Sequence, residues 1–554
     1  MVRINGKTVS DGIAIGRIVF FNHEKISVNA KHIDNESAEL ERYHNARIIA
    51  KNELSDFIKL AETNAGKESA EIFEIHQMML DDKDYIEETE RLIRDEKWSA
   101  EYAISQTSEK FAQMFLAMDN EYMNGRAADV ADISERMIKI LSNKTEDMAY
   151  LSDNEKIIIC SDDLAPSETV QMDKSKVIAI ATRYGSAQSH TAILASTMNI
   201  PAIIGLGEAL SDDFDGMTAI VDGSDGSLCI DPTPKVLEAA KSRCRIADKR
   251  REQLKQLKGM DNISIDGHRV MLYANITSPD DLKNVLENDA GGIGLFRSEF
   301  LYLGSDTYPS EEEQFNAYKK VLIAMDGKKV IIRTLDIGAD KCIDYFDLDK
   351  EENPALGYRA IRICLSQRDI FKTQLRALLR ASAYGKLSIM IPMIISIDEV
   401  RQTRIMINEV KTELRLKGID FDEAIELGIM IETPAAVMIS DLLAREVDFF
   451  SIGTNDLTQY CLAIDRQNQK LDPFYDPHHI SVLRMIHKTI KNAHRARIWC
   501  GICGELAADL KMTEMFLSMG VDELSVSPSS ILPLREKIRS VNVDAIRDDN
   551  LGGL

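Results

Sequence analysis

Five apolar stretches in the second half of the chain each end in residues that can do chemistry. They finish in Leu-Phe-Arg297-Ser-Glu299, Ile-Arg333-Thr-Leu-Asp336 (running on to Asp340 and Lys341), Ile-Glu432-Thr-Pro, Gly-Thr454-Asn455-Asp456 and Cys503-Gly-Glu505. Any one of these charges is ordinarily a solvated loop group or a local ion pair. Five such coincidences are harder to read that way. Arg297 and Arg333 offer planar forks of donors to phosphate or carboxylate oxygens, a geometry lysine lacks. Glu432 and Asp456 are hard oxygen ligands, and two carboxylates completed by substrate oxygens and water is how Mg²⁺ is usually held where phosphoryl groups move. Without a cation, those carboxylates would repel a polyanion. The set points to an anion bound together with a divalent metal.

A second candidate is His190, in Gly185-Ser-Ala-Gln-Ser-His190-Thr-Ala-Ile-Leu-Ala195. The glycine breaks the preceding strand and Ser189 can cap a helix, which places His190 in its first turn. There the helix dipole disfavours imidazolium and favours a phosphate carried on the ring, by about 0.3–1 kcal/mol. That bias is small, and a histidine near a helix start is more often structural. Taken alone, His190 stays open.

The elements that must position these groups fall into regions of different texture. Residues 1–21 read as short β-structure. From about 30 to 145 the chain is helical, poor in Gly and Pro, with apolar residues at helical spacing such as Leu40, Tyr43, Ala50, Leu54 and Phe57, then Ile72, His76, Met79 and Leu80. From about 155 to 230 short apolar runs alternate with helical stretches and end in a hairpin over 221–230. The 1–21 segment is expected to join that sheet, making the helices an insertion. Asp231-Pro-Thr-Pro234 opens a charged linker helix. Beyond it, candidate strands at 269–275, 291–297, 329–336, 387–394, 427–432, 448–453, 497–502 and 522–526 alternate with helices, the pattern of a (β/α)8 barrel. The fold class expected is multidomain: an α/β domain built from 1–21 and 145–230, an α-helical bundle inserted at 22–144, a linker helix at 231–260, and a C-terminal (β/α)8 TIM barrel at 261–554. Barrels carry function where strands end, which is where the charged motifs lie.

The 554 residues carry a formal net charge of −23, which disfavours a nucleic-acid partner. No apolar run is long enough for membrane insertion. The 8 cysteines are scattered without the spacing of a disulfide framework, and a cytoplasmic location is expected.

With His190 and the strand ends together, the chain resembles enzyme I of the phosphoenolpyruvate:sugar phosphotransferase system. The resemblance rests on Gly12-Ile-Ala-Ile-Gly16, Ser-His190-Thr-Ala-Ile-Leu-Ala, Ile200-Pro-Ala-Ile-Ile-Gly205, Gly-Ile-Gly-Leu-Phe-Arg297-Ser-Glu-Phe-Leu, Asn353-Pro-Ala-Leu-Gly-Tyr-Arg359, Gly453-Thr-Asn-Asp-Leu-Thr-Gln-Tyr460 and Cys503-Gly-Glu-Leu-Ala, in order. It implies a sugar-transport phosphotransferase that moves a phosphoryl group from phosphoenolpyruvate to His190 and on to the phosphocarrier HPr. It further implies that Arg297, Arg333, Arg359, Asn455 and Arg466 hold the substrate and that Glu432 and Asp456 ligate Mg²⁺. Cys503 would protonate the enolate, a role suited to an ordinary thiol that titrates at about 8.5. The bundle would dock HPr, with Phe73, His76 and Leu80 as candidates on one helical face, though bundle core is an equal reading. A homodimer through the barrel is also implied.

The chain departs from the family around its histidine. Gly-Ser-Ala-Gln replaces the family's Gly-Gly-Arg-Thr before Ser189, and Ser196 stands where the family has arginine. Arg183, ahead of the turn, is the nearest remaining candidate to replace them. These changes motivate an alternative, a catalytically weak paralogue that binds phosphoenolpyruvate and regulates a partner. A dikinase-type enzyme would need a nucleotide-binding domain, and the helical region has no Gly-rich nucleotide loop. Cys500-Gly-Ile-Cys503 also fits a thiol–disulfide motif.

Overall fold

The computed structural model describes residues 1–21, 28–64, 67–116, 121–142, 156–162, 176–184, 200–303, 307–338, 344–346, 348–349, 351–466 and 468–552. His190, with the whole 185–199 segment, lies outside them, as do Asp340 and Lys341. The chain divides into two units, Met1–Lys249 and Arg250–Leu554.

The first unit holds a mixed sheet built from β1 (Val2–Asn5), β2 (Lys7–Ser10), β3 (Ile13–Phe21), β4 (Ile157–Ser161), β5 (Val177–Thr182), β6 (Ala202–Ile204), β7 (Thr218–Asp222) and β8 (Ser227–Ile230). Their order is β1-β8-β7-β3-β4-β5-β6-β2. β3 runs parallel to β4 on one side and antiparallel to β7 on the other. The N-terminal strands are therefore built into the same sheet as those beyond residue 156, and the helices lie between them in sequence. Apolar residues of β4, β5 and β6 are buried along almost their whole length, as a central sheet requires.

Those helices include Glu36–Asn64, Lys67–Leu80, Lys83–Arg94, Ala100–Leu116 and Glu121–Leu141. Asp82 caps Lys83–Arg94 by accepting from the Tyr85 N–H. The helices close over a core of Tyr43, Ala50, Leu54, Phe73, Leu80, Ile93, Ile104, Ile133 and Met137. This corrects the reading of Phe73, His76 and Leu80 as a docking face: all three are 0% exposed. The Phe73 ring packs against Phe57 and His76, while the His76 Nε2 lies 3.2 Å from Asp129 Oδ1. Helical spacing finds the apolar face but cannot tell whether that face meets a sister helix or a partner, and here the sister helices win.

The second unit is a closed barrel of parallel strands: β9 (Met271–Ile276), β10 (Gly292–Arg297), β11 (Lys329–Arg333), β12 (Leu387–Ile391), β13 (Glu426–Ile431), β14 (Phe449–Ile452), β15 (Trp499–Ile502) and β16 (Glu523–Val526), with β16 pairing back to β9. Two surrounding α-helices start at capping boxes, Ser310 with Glu313 and Ser396 with Glu399. Outward-facing strand residues pack under these helices. The lumen is filled by Leu295, Ile331, Met390, Met430, Phe449 and Cys503, with the Trp499 ring stacked on Phe449 at 4.4 Å. The lumen is thus a packed core that supports residues at its C-terminal end. Among the described residues no helix is long and apolar enough to cross a membrane.

Candidate active site

A cavity of about 940 Å³ opens at the C-terminal ends of the barrel strands. Its walls include Arg297, Arg333, Arg359, Glu432, Asn455, Asp456, Arg466 and Cys503, so the barrel residues read from the sequence are brought together at one place.

Two acids hold the arginines. Arg333, last residue of β11, reaches Glu299 Oε1 at 3.1 Å and Asp336 Oδ2 at 2.8 Å. Arg359 Nη2 donates to the other Asp336 oxygen at 2.9 Å. The Asp336 N–H in turn donates to Glu299 Oε1 at 3.1 Å. Burial works against the Arg333 charge, but Asp336, Glu299, Glu432 and Asp456 outweigh it and hold the guanidinium above its ordinary value. Among the described residues, Arg333 Nε is a buried donor with no hydrogen-bond partner. A cationic group with an unspent donor beside a cavity is a ready anion site. Arg297 is exposed at the rim, and Arg466 is 41% exposed at 3.5 Å from Asp456. Sequence reading placed Glu299 and Asp336 at strand ends but gave them no role. The usable signal was an acid two or three residues after each arginine.

Backbone strain collects beside these groups. Ala360, next to Arg359, takes φ 52° and ψ −126°, and its N–H is tied to Ile337 O at 2.9 Å. Met393 has φ 58° and donates its N–H to Glu432 Oε1 at 2.6 Å. Such conformations cost an L-residue about 1–3 kcal/mol and persist only where the surroundings impose them.

Glu432 follows β13 and Asp456 follows β14. Glu432 is wholly buried, and among the described residues its Oε2 has no hydrogen-bond partner. Burial, then the charges of Asp456 and Asp336, push its carboxyl well above the usual range against the pull of Arg333. An orphaned carboxylate oxygen beside a second carboxylate fits a hard divalent cation, which would replace repulsion with attraction. A separate trio, Asp266, His268 and Asp544, has ligand atoms within 4.8 Å of one another, on the segment leading into the start of β9 and on the last helix. Asp266 there already accepts from Ser264 Oγ and the Asp544 N–H, which gives that trio a structural role.

Asn455 and Glu505 bond reciprocally: Asn455 Nδ2 donates to Glu505 Oε1 at 3.2 Å, and the Glu505 N–H donates to Asn455 Oδ1 at 3.0 Å. This ties the end of β14 to the end of β15. Cys503 is 4% exposed, with its Sγ 3.6 Å from Ile452 O. Burial pushes its thiol up to about 12, so the expectation of an ordinary thiol is corrected: Cys503 is fully protonated at neutral pH. Cys500 and Cys503 belong to different layers, Cys500 to the outer core beneath the helices and Cys503 to the lumen. Residues three apart on a strand face opposite ways, which leaves no disulfide geometry.

In the first unit, Arg183 is held by its own neighbours, while the segment around His190 lies outside the described residues. Its guanidinium is engaged by Asp162 and Asp212, its Nε donates to Leu210 O at 2.6 Å, and it lies over the Phe20 ring.

Comparison with known proteins agrees in extent. The family model described as PEP-utilising enzyme, PEP-binding domain matches residues 251–543, the PEP-utilising enzyme N-terminal model matches 5–126, and the mobile-domain model matches 153–226. The phosphoenolpyruvate-protein phosphotransferase of Priestia megaterium is 42% identical over 540 residues, covering 97% of this chain and 94% of that protein. That of Staphylococcus aureus (strain Mu50 / ATCC 700699) is 43% identical over 544 residues, with the same coverage. An enzyme I (nEIt) protein solved by NMR is 33% identical, matching 44% of this chain and 99% of its own with a TM-score of 0.40. Sequence identity at this level across nearly the whole chain, over an α/β sheet, helical bundle and barrel, means that the chain belongs to the phosphoenolpyruvate–protein phosphotransferase family, enzyme I of the sugar phosphotransferase system.

Proposed function

We propose that the chain transfers a phosphoryl group from phosphoenolpyruvate to its own His190, releasing pyruvate, and passes it to the phosphocarrier HPr as the first step of sugar uptake. The observation that carries this reading is the barrel cavity itself: guanidinium groups, a pair of carboxylates and a protonated thiol line one space. Family members are named as phosphotransferases, so the reading as a catalytically weak paralogue that binds phosphoenolpyruvate and regulates a partner is not favoured.

In this reading Arg297, Arg333, Arg359 and Arg466 grip the phosphate and carboxylate of phosphoenolpyruvate, with Asn455 completing the cradle. Glu432 and Asp456 hold Mg²⁺, which when bound neutralises charge on the phosphoryl oxygens. The His190 nitrogen attacks phosphorus and the bond to the bridging oxygen breaks, leaving enolpyruvate. Cys503 gives its proton to C3 of the enolate, which yields pyruvate and a thiolate. The thiol is a weak acid, but an enolate carbon is a stronger base than a thiolate, so the transfer runs downhill.

The domain assignment carries over as part of this proposal: 1–21 with 145–230 carries His190, 22–144 docks HPr, 231–260 links, and 261–554 binds substrate and dimerises. A cytoplasmic site of action fits a partner of this kind. The experiment is labelling with phosphoenolpyruvate carrying radioactive phosphorus. Acid-labile label is expected on the wild type with Mg²⁺, and none on His190→Ala, which still binds substrate. Full labelling of His190→Ala would falsify the choice of nucleophile.

A further inference from the structure

One buried acid in the barrel has no part in the chemistry above. Glu523, first residue of β16, is 1% exposed, and among the described residues its Oε1 has no hydrogen-bond partner. Two glycines make its room. A methyl group on Gly501 would lie 2.0 Å from Glu523 Oε2, and one on Gly294 would lie 2.6 Å from Oε1 and 2.2 Å from Ser525 Oγ. The carboxyl therefore occupies the lumen between β10 and β15. Gly501 pairs with Glu523 across the sheet, and Cys503 follows two residues later on the same face, about 7 Å further toward the mouth.

The hydrogen bonds above the carboxyl have a fixed direction. Asn275 Nδ2 faces two backbone carbonyls, Cys503 O at 3.0 Å and Ser525 O at 3.1 Å, so this end of the amide must be the donor. Asn275 Oδ1 then accepts, and the Ser525 hydroxyl spends its only proton on it at 2.6 Å. What remains on Ser525 Oγ is acceptor capacity. Glu523 Oε1 crowds the same Gly294 position as Ser525 Oγ, and it can join the chain only by donating, which an ionised carboxylate cannot do. The nearby cation, Lys329, directs its Nζ to Glu426 Oε2 at 2.7 Å and acts on Glu523 only through its charge. Burial pushes the Glu523 carboxyl well above the carboxylate range, against the smaller opposing effects of Ser525 and Lys329. Tyr273, Cys500 and Cys503, the other titratable groups around it, are themselves raised by burial and neutral.

We infer that Glu523 is a positioning residue that works as a neutral carboxylic acid, donating through Ser525 and Asn275 to fix the Cys503 carbonyl and so the place of the thiol over the enolate carbon. The inference rests on the reading of Cys503 as proton donor. It assigns a function to a carboxyl in the middle of a barrel core, where an apolar side chain would otherwise be expected. It also accounts for the glycines that β10 and β15 carry beside it.

The test compares Glu523→Gln, which keeps a donor of the same shape but cannot ionise, with Glu523→Leu, which keeps only the volume. Turnover of phosphoenolpyruvate with HPr is expected to keep kcat within about twofold in the Gln variant. In the Leu variant kcat should fall about tenfold or more with KM nearly unchanged, because substrate binding lies elsewhere. If Leu fails to fold, Ser525→Ala breaks the same chain and should show the same split. An infrared difference spectrum, wild type minus Glu523→Gln at neutral pH, should show the carbonyl band of a neutral carboxylic acid. Loss of activity in Gln equal to that in Leu, undiminished activity in Leu, or a carboxylate band in place of the acid band would each overturn the inference. Cys503→Ala separates the two readings. If it turned over normally the donor assignment would fall, while the infrared band, which needs no turnover, would still report the state of Glu523.

Discussion

Arg359 Nη2 lies 2.9 Å from Asp336 Oδ1, and both side chains are more than nine-tenths buried. The same aspartate holds Arg333 by its other oxygen at 2.8 Å, so one carboxylate sets the spacing of two guanidinium groups. Removing either partner of such a pair leaves a buried charge without compensation, which is why the pair matters more than its net contribution to stability.

Asp336→Asn is therefore expected to loosen the cradle. The affinity for phosphoenolpyruvate should fall about 10–100-fold, with a smaller change in kcat, because the arginines lose their common anchor. Calorimetric titration with phosphoenolpyruvate and steady-state kinetics check this. An unchanged dissociation constant would remove Asp336 from the binding machinery.

The thiol of Cys503, pushed up to about 12 by burial, gives a prediction about pH. Between the unfolded value of about 8.5 and the folded value, the native state keeps a proton that the unfolded state releases. The stability this contributes is fully present below about pH 8.5 and is lost as pH rises toward the folded value. Wild type should thus lose stability between about pH 8.5 and 10 more steeply than Cys503→Ala, measured by denaturant midpoints. Alkylation of Cys503 at about pH 8 should also be slow. Rapid modification there would show a thiolate and sink the argument.

Glu432 and Asp456 make a prediction about metal. Adding Mg²⁺ should raise the thermal midpoint of the wild type, since a ligand at about 100 times its Kd stabilises by about 2.7 kcal/mol. Glu432→Gln should abolish the response while leaving the metal-free protein at least as stable, because a buried repulsion is gone. A Glu432→Gln protein that still responds to Mg²⁺ would place the metal elsewhere.

Phe73 and His76 belong to the bundle core, so their substitutions should act on folding first. Phe73→Ala is expected to cost about 3–5 kcal/mol in the bundle, seen as an earlier unfolding transition. HPr binding measured well below that transition should weaken little. A loss of affinity without a loss of stability would return Phe73 to the surface.

The strands of the barrel were legible because each is a short apolar run closed by charge, a pattern that surface loops and amphipathic helices rarely produce. The strand expected at 427–432 is Glu426–Ile431, and that expected at 522–526 is Glu523–Val526. Arg297, Arg333, Glu432 and Asp456 could be singled out by side-chain type alone, since forked donors and paired carboxylates have limited uses. Less was legible where partners decide. Helical spacing marked Phe73, His76 and Leu80 as one face without saying what covers it, and packing against the neighbouring helices supplied the answer.

The order of elements, the residue types at the strand ends and the motif around His190 were set by the amino-acid order, because covalent order and side-chain chemistry are local properties. The tertiary structure alone decided which acid holds which arginine, that burial raises the Cys503 thiol, and that burial of Glu523 outweighs the pull of Lys329. Those depend on burial and on contacts between residues as far apart as Asn275 and Ser525, and no local pattern encodes the dielectric or the partners that folding brings together.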